Sequence, residues 1–195
     1  CLFMLAIVIG LKALAWIVLH GVGMLLGRKA PIEVRGKHLD ELSTTDNAFI
    51  AFNRYVQVPF VTYHIMQYCY TASNVRWEPE ELTLANTVGA LAFCFALYDF
   101  VYYWFHYFLH HRALYQYVHK HHHRQMAPSR GNEDAVNVHP FEFGCGEYLH
   151  LLALYFVPSI HVYAIALFII TAGIFASLNH TRHDVHIGPS VEGMG

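Results

Sequence analysis

The 195-residue chain has no C-x-x-C pair, no block of like charge, no internal repeat and no low-complexity tract. Its four cysteines (Cys1, Cys69, Cys94, Cys145) lie far apart, three of them in or beside apolar segments, so they read as small core residues rather than as disulfide partners or zinc ligands. Charged residues make up only 13%, the formal charge is −2, and the basic residues are scattered, which sets nucleic acid aside as a partner. The first apolar run ends without a small-residue cleavage site and is too long for a signal peptide. The chain opens on Cys1 without an initiator methionine and closes on "VEGMG", so it is expected to be a fragment.

What is there in abundance is apolar surface. At 55% hydrophobic with a positive mean hydropathy, the composition predicts a membrane protein. Residues 1–27 form a run about as long as a bilayer core requires, interrupted only by Lys12 and His20. A second apolar segment, 47–73, carries Arg54, Pro59 and His64. The third, 82–105, ends in an aromatic cluster that reads as an interfacial belt. The last, 147–178, is broken at Pro158-Ser159. As one span it carries His180 to the opposite face, and as a hairpin it returns His180 to the same face. The predicted fold is therefore all-α, an integral membrane bundle of about four apolar segments. Residues 1–94 are expected to supply the N-terminal membrane helices and 95–195 a histidine-box region. Arg28, Lys29, Arg35 and Lys37 after the first span, and Arg112, Lys120, Arg124 and Arg130 after the third, fall on one face, the cytosolic one by the positive-inside rule.

The third span runs straight into seven histidines within the eighteen positions from His106 to His123. On a continuing helix Asp99, Tyr103, His106 and His110 form one stripe, and His106 with His110 has the spacing by which one helix chelates one ion. His119, His122 and His123 repeat the device at i, i+3, i+4. "NVHPFE" adds His139 and Glu142, and "LNHTRHDVHIG" adds His180, His183 and His186. Imidazole suits iron, zinc and copper alike, so ligand type does not choose the metal, but the number of histidines argues for more than one ion. His111 and His121 fall between the chelating positions as bystanders. The isolated His20, His38, His64, His150 and His161 read as surface, interfacial or hydrogen-bonded core residues. Asp99, an ionisable group inside an apolar segment, needs a partner there and is expected to orient a ligating imidazole.

These residues resemble the fatty acid hydroxylase and sterol desaturase superfamily of membrane di-iron enzymes. "LYDFVYYWFHYFLHH" is similar to its acidic, aromatic opening followed by H-x-x-x-H, "HKHHH" to its H-x-x-H-H box, "HPFE" to its third feature, and "NHTRHD" to the segment supplying a further histidine. The resemblance implies metal ligation by His106, His110, His119, His122, His123, His139 and His180, with Asp99 and Glu142 supporting them. Tyr107 stands where members often have arginine, and the final H-x-x-H-H box is not matched before Gly195, so the ligand set is expected to be incomplete.

What this implies chemically is a dioxygen-dependent hydroxylase or desaturase with two iron ions, or zinc as purified, acting on a lipid such as a sterol or fatty acyl chain. A b-type cytochrome or reductase would supply electrons, the location would be the endoplasmic reticulum in a eukaryote, and the histidines would face the cytosol. Two other classes stay open at this stage, a zinc-transporting membrane protein and a non-catalytic relative with structural zinc.

Overall fold

The computed structural model describes parts of residues 9–21, and then residues 41–124 and 130–180. Short helical pieces occur between 9 and 21, so the first predicted span lies largely outside the described residues, as do His38, His183 and His186.

Ser43 opens the first long rod as the cap of a reciprocal pair. Its side chain accepts from the Asp46 N–H, while its own N–H donates to the Asp46 carboxylate at 2.7 Å. The rod runs through α1 (Thr44–Phe52), a π-turn at Asn53–Gln57 and α2 (Val58–Thr71). At its far end Val75–Arg76 (β1) pairs in parallel with Ile160–His161 (β2), Val75 opposite Ile160 and Arg76 opposite His161. The second rod starts where Thr83 and Asn86 cap one another, passes a π-turn at Ala85–Gly89 and continues as α3 (Ala90–Leu109). After the histidine segment, with short helices α4 (Arg112–Leu114) and α5 (Asn132–Ala135), come α6 (Pro140–Phe156) and α7 (Val162–Leu178).

Contacts at the ends fix the directions. Asp46, at the start of the first rod, lies 3.0 Å from His121, and β1 and β2 meet at the opposite pole. The four rods thus alternate in direction, with all the histidine boxes at one end. The break at Pro158 is a hairpin turn, because α7 returns His180 to within ring contact of His122, at 5.7 Å between centroids. At the far pole Tyr68 donates to the Leu154 carbonyl at 2.6 Å and Asn74 to the Val157 carbonyl at 2.8 Å, fastening the two hairpins together.

One cluster of buried apolar side chains draws on all four rods, including Val61 and Ile65, Cys94, Ala153 and Leu154, and Ile165 and Phe168. The boundary expected at 94/95 falls inside α3, and this shared core extends to both sides of it. Among the described residues one helix, Ala85–Leu109, is long and apolar enough to cross a membrane, and it corresponds to the third predicted span. Val162–Leu178 is apolar but shorter. The segment predicted at 47–73 is helical as far as Thr71, interrupted by the π-turn that holds Arg54. The outer face of α3 leaves Phe100, Tyr103, Trp104, Tyr107 and Phe108 exposed.

Candidate metal centre

The last turn of α3 carries His106 and His110 on one face, as the i, i+4 spacing requires. The chain then turns at His111, whose ring accepts from the Ala113 N–H, and a π-turn at Tyr115–His119 brings His119 back beneath them. A 3₁₀ turn, His122–Arg124, adds His123. The result is four imidazoles whose ligating nitrogens all lie within 4.8 Å of one another. His106 Nε2 is 3.2 Å from His110 Nε2, which is 3.3 Å from His119 Nε2, which is 2.9 Å from His123 Nε2.

Tautomer chemistry says what this arrangement wants. His119 is fully buried and its Nδ1 lies 2.7 Å from Glu142 Oε1. A neutral imidazole donating there has only a lone pair left at Nε2, and that lone pair faces two further Nε2 atoms. An ion held by imidazole at ~2.0–2.1 Å keeps tetrahedral nitrogens roughly 3.3 Å apart, close to the spacings found, so the residues fit a metal.

Beside this group lies a second, looser one. His122 is ringed by His119, His123 and His180 at 5.9, 5.7 and 5.7 Å between centroids. His180 donates from Nδ1 to the Ala176 carbonyl at 2.7 Å, which frees its Nε2 for a ligand. His122 Nδ1 and Glu142 Oε2 are buried without a hydrogen-bond partner, as is His106 Nδ1. Buried polar atoms normally find partners, so these orphans mark where something polar belongs. Burial, reinforced by neighbouring His180 and His119, pushes His122 down to about 3, and burial with His119 and His110 lowers His123 as well. Both rings are therefore neutral, the form a metal requires.

The remaining expected residues sit apart from these two groups. His139 caps α6, its Nδ1 accepting from the Phe141 N–H at 3.2 Å, and packs edge-on against Phe49. Asp99 is exposed at an internal cavity and makes no hydrogen bond to a histidine among the described residues. The carboxylate that orients an imidazole is Glu142. His121 does not join the metal group, but it is tethered, with its Nε2 at 2.9 Å from Asn137 Oδ1 and 3.0 Å from Asp46 Oδ1. Asn53, fully buried in the first π-turn, donates to the Val136 and Val138 carbonyls at 2.8 and 2.9 Å and so fixes the loop leading to Glu142. Sequence reasoning passed over Asp46 and Asn53. The "STTD" capping box was the one local signal for Asp46, and Asn53 had none.

His122, Glu142 and His180 also form the floor of a cavity of about 710 Å³ between the rods. Each rod gives it a helical stripe: Val58, Val61 and Ile65; Phe95, Tyr98 and Tyr102; Phe143, Gly146 and His150; Ile169, Gly173 and Ala176.

Comparison with known proteins points the same way. A stretch of 61 residues, 31% of this chain, is 41% identical to a cholesterol 25-hydroxylase-like protein of Caenorhabditis briggsae, covering 20% of that relative's length. No solved structure matches the chain. The family model for fatty acid hydroxylase matches residues 91–194, just over half of the chain and both histidine groups, and the chain belongs to the fatty acid hydroxylase family.

Proposed function

We propose that this chain carries most of the metal site of a dioxygen-dependent membrane oxidoreductase, a hydroxylase or desaturase, that acts on a lipid. The observation that carries this reading is the convergence of His106, His110, His119 and His123 beside His122, Glu142 and His180, which line a cavity between the rods, in a chain of this family. Iron, bound as a pair, would supply the reduction of dioxygen and the oxidising power to take hydrogen from an unactivated carbon. His106, His110, His119 and His123 would hold one ion, and His122 and His180 would begin the place of a second, which needs further ligands.

The chain's own groups prepare the site. Glu142 accepts from His119 and the Ala176 carbonyl from His180, which leaves both Nε2 lone pairs free and would raise their basicity toward a metal. The rods shut bulk water away from His119, and the apolar stripes guide a lipid chain down to His122 and Glu142. The exposed aromatic face of α3 supports a bilayer setting, since so large an apolar surface needs lipid or a partner to cover it. Arg112, Lys120 and Arg124, near the histidine end, would offer a b-type cytochrome or reductase a basic surface on the cytosolic side of the endoplasmic reticulum. The name of the nematode relative supports a sterol among the substrates.

Full-length protein purified from membranes should contain iron and convert a lipid only when dioxygen is present, and His123→Ala should lower both iron content and product. Bound zinc without turnover, or zinc transport by reconstituted vesicles, would overturn the proposal.

A further inference from the structure

We propose that Asp134 is a positioning residue for a second metal ion, because through Arg130 and Gly131 it fixes the main chain of His180. The inference rests on the reading above in taking the centre to hold a pair of ions. His180 lies just past the end of α7, and its own bonds reach only back into the last turn, from its N–H to the Ser177 carbonyl at 3.2 Å and from Nδ1 to the Ala176 carbonyl at 2.7 Å. A helix end held only by itself frays, and the ring would move with it. Among the described residues, the hydrogen bond that ties His180 to another element is the one its carbonyl accepts from the Gly131 N–H at 2.9 Å.

That donor is held with care. Gly131 has φ 56°, a conformation that favours glycine, and Asp134 brackets it. The fully buried Asp134 carboxylate accepts the Arg130 N–H on Oδ2 and the Arg130 Nε and Nη2 on Oδ1, each at 2.8 Å, while the Asp134 N–H donates to the Gly131 carbonyl at 3.0 Å. A carboxylate met by a guanidinium and a main-chain donor is a strong, directional anchor. Its neighbour Glu133 pairs with Arg54 at 2.8 Å, so α5 is tied to the first rod on one side and to the end of α7 on the other. Further along, Asn53 grips the Val136 and Val138 carbonyls independently, which keeps Glu142 and His119 in place when Asp134 is changed. The two ions should therefore respond differently. The group of His106, His110, His119 and His123 does not hang on Asp134, whereas His180 does.

Full-length protein in detergent, stripped of metal and titrated with zinc against a chromophoric chelator, should take up two equivalents. Asp134→Asn keeps the shape but turns an amide N–H toward donors, and it should weaken the second equivalent about 10- to 100-fold while leaving the first as it was. Arg130→Lys keeps the charge and the main-chain donor and should retain both. Equal weakening of the two equivalents by Asp134→Asn, or a wild type that binds only one, overturns the inference. A further measurement needs no variant to fold. Coupling is reciprocal, so in wild-type protein the second equivalent of zinc, and not the first, should slow hydrogen exchange of the Gly131 amide by about tenfold. Exchange indifferent to zinc overturns the inference as well. Zinc reads binding without turnover. Coupling without any oxidised lipid would sink the oxidoreductase reading alone, and turnover without the coupling would sink this inference alone.

Discussion

Glu142 divides its two oxygens between the histidine group and the cavity floor, and that division gives it more influence than Asp99, which shares its charge but not its contacts. Glu142→Gln keeps the shape and loses the charge that makes His119 a better ligand. It should weaken iron binding 10- to 100-fold in a chelator competition, whereas Asp99→Asn should leave iron binding as it was. A second carboxylate acts on stability instead. Burial pushes the Asp46 carboxyl up, but hydrogen bonds from Ser43 and Asn137, with His121 nearby, together bring it below its ordinary 3.8. A carboxyl depressed by folding stabilises the fold above its unfolded value and stops doing so as pH falls through the folded one. The stability difference between wild type and Asp46→Asn, followed by thermal melts, should hold steady from pH 7 to about 5 and shrink below about 4. A difference that grew on acidification would mean that Asp46 titrates in the opposite sense.

The π-turns are the elements that convert helical spacing into a site. A regular α-helix through Tyr115–His119 would rotate His119 away from His106 and His110, and one through Asn53–Gln57 would rotate Asn53 out of the loop before α6. Asn53→Ala removes two donors at once and leaves the Val136 and Val138 carbonyls buried. It should cost roughly 2–3 kcal/mol of stability in denaturant unfolding and loosen iron through the displaced Glu142. Full stability in that variant would show that the loop is held by other contacts. That His106 and His110 share a face was legible in the sequence because an i, i+4 pair is a local consequence of helix geometry, whereas a π-turn and a 3₁₀ turn, not one helical face, place His119, His122 and His123. Asn53 and the tether of His121 to Asp46 were not legible, because their partners lie 83 or more residues away for Asn53 and on another rod for His121. The histidine of "HPFE" stands just before Pro140 and caps α6, a place equally suited to a cap and to a ligand.

At the scale of the whole molecule, the sequence left the direction of its last apolar stretch open, and the choice depended on a turn that short-range rules do not decide. Two residues of parallel pairing, Val75 with Ile160 and Arg76 with His161, close the far pole and send α7 back, so that His180 meets His122. The same alternation of rods leaves the central cavity, and small residues keep it open. A methyl group on Gly146 would rest 3.7 Å from Tyr102, and one on Gly173 would rest 3.9 Å from Leu14, both ordinary contacts. Alanine at these two helical positions should therefore stabilise the fold, by up to about 1 kcal/mol each from helix propensity, while narrowing the passage to His122. Gly146→Ala combined with Gly173→Ala should melt at a higher temperature, keep its iron, and lose turnover on a bulky ring lipid more than on a slender chain. Equal turnover on both would place the substrate path elsewhere on the surface of the bundle.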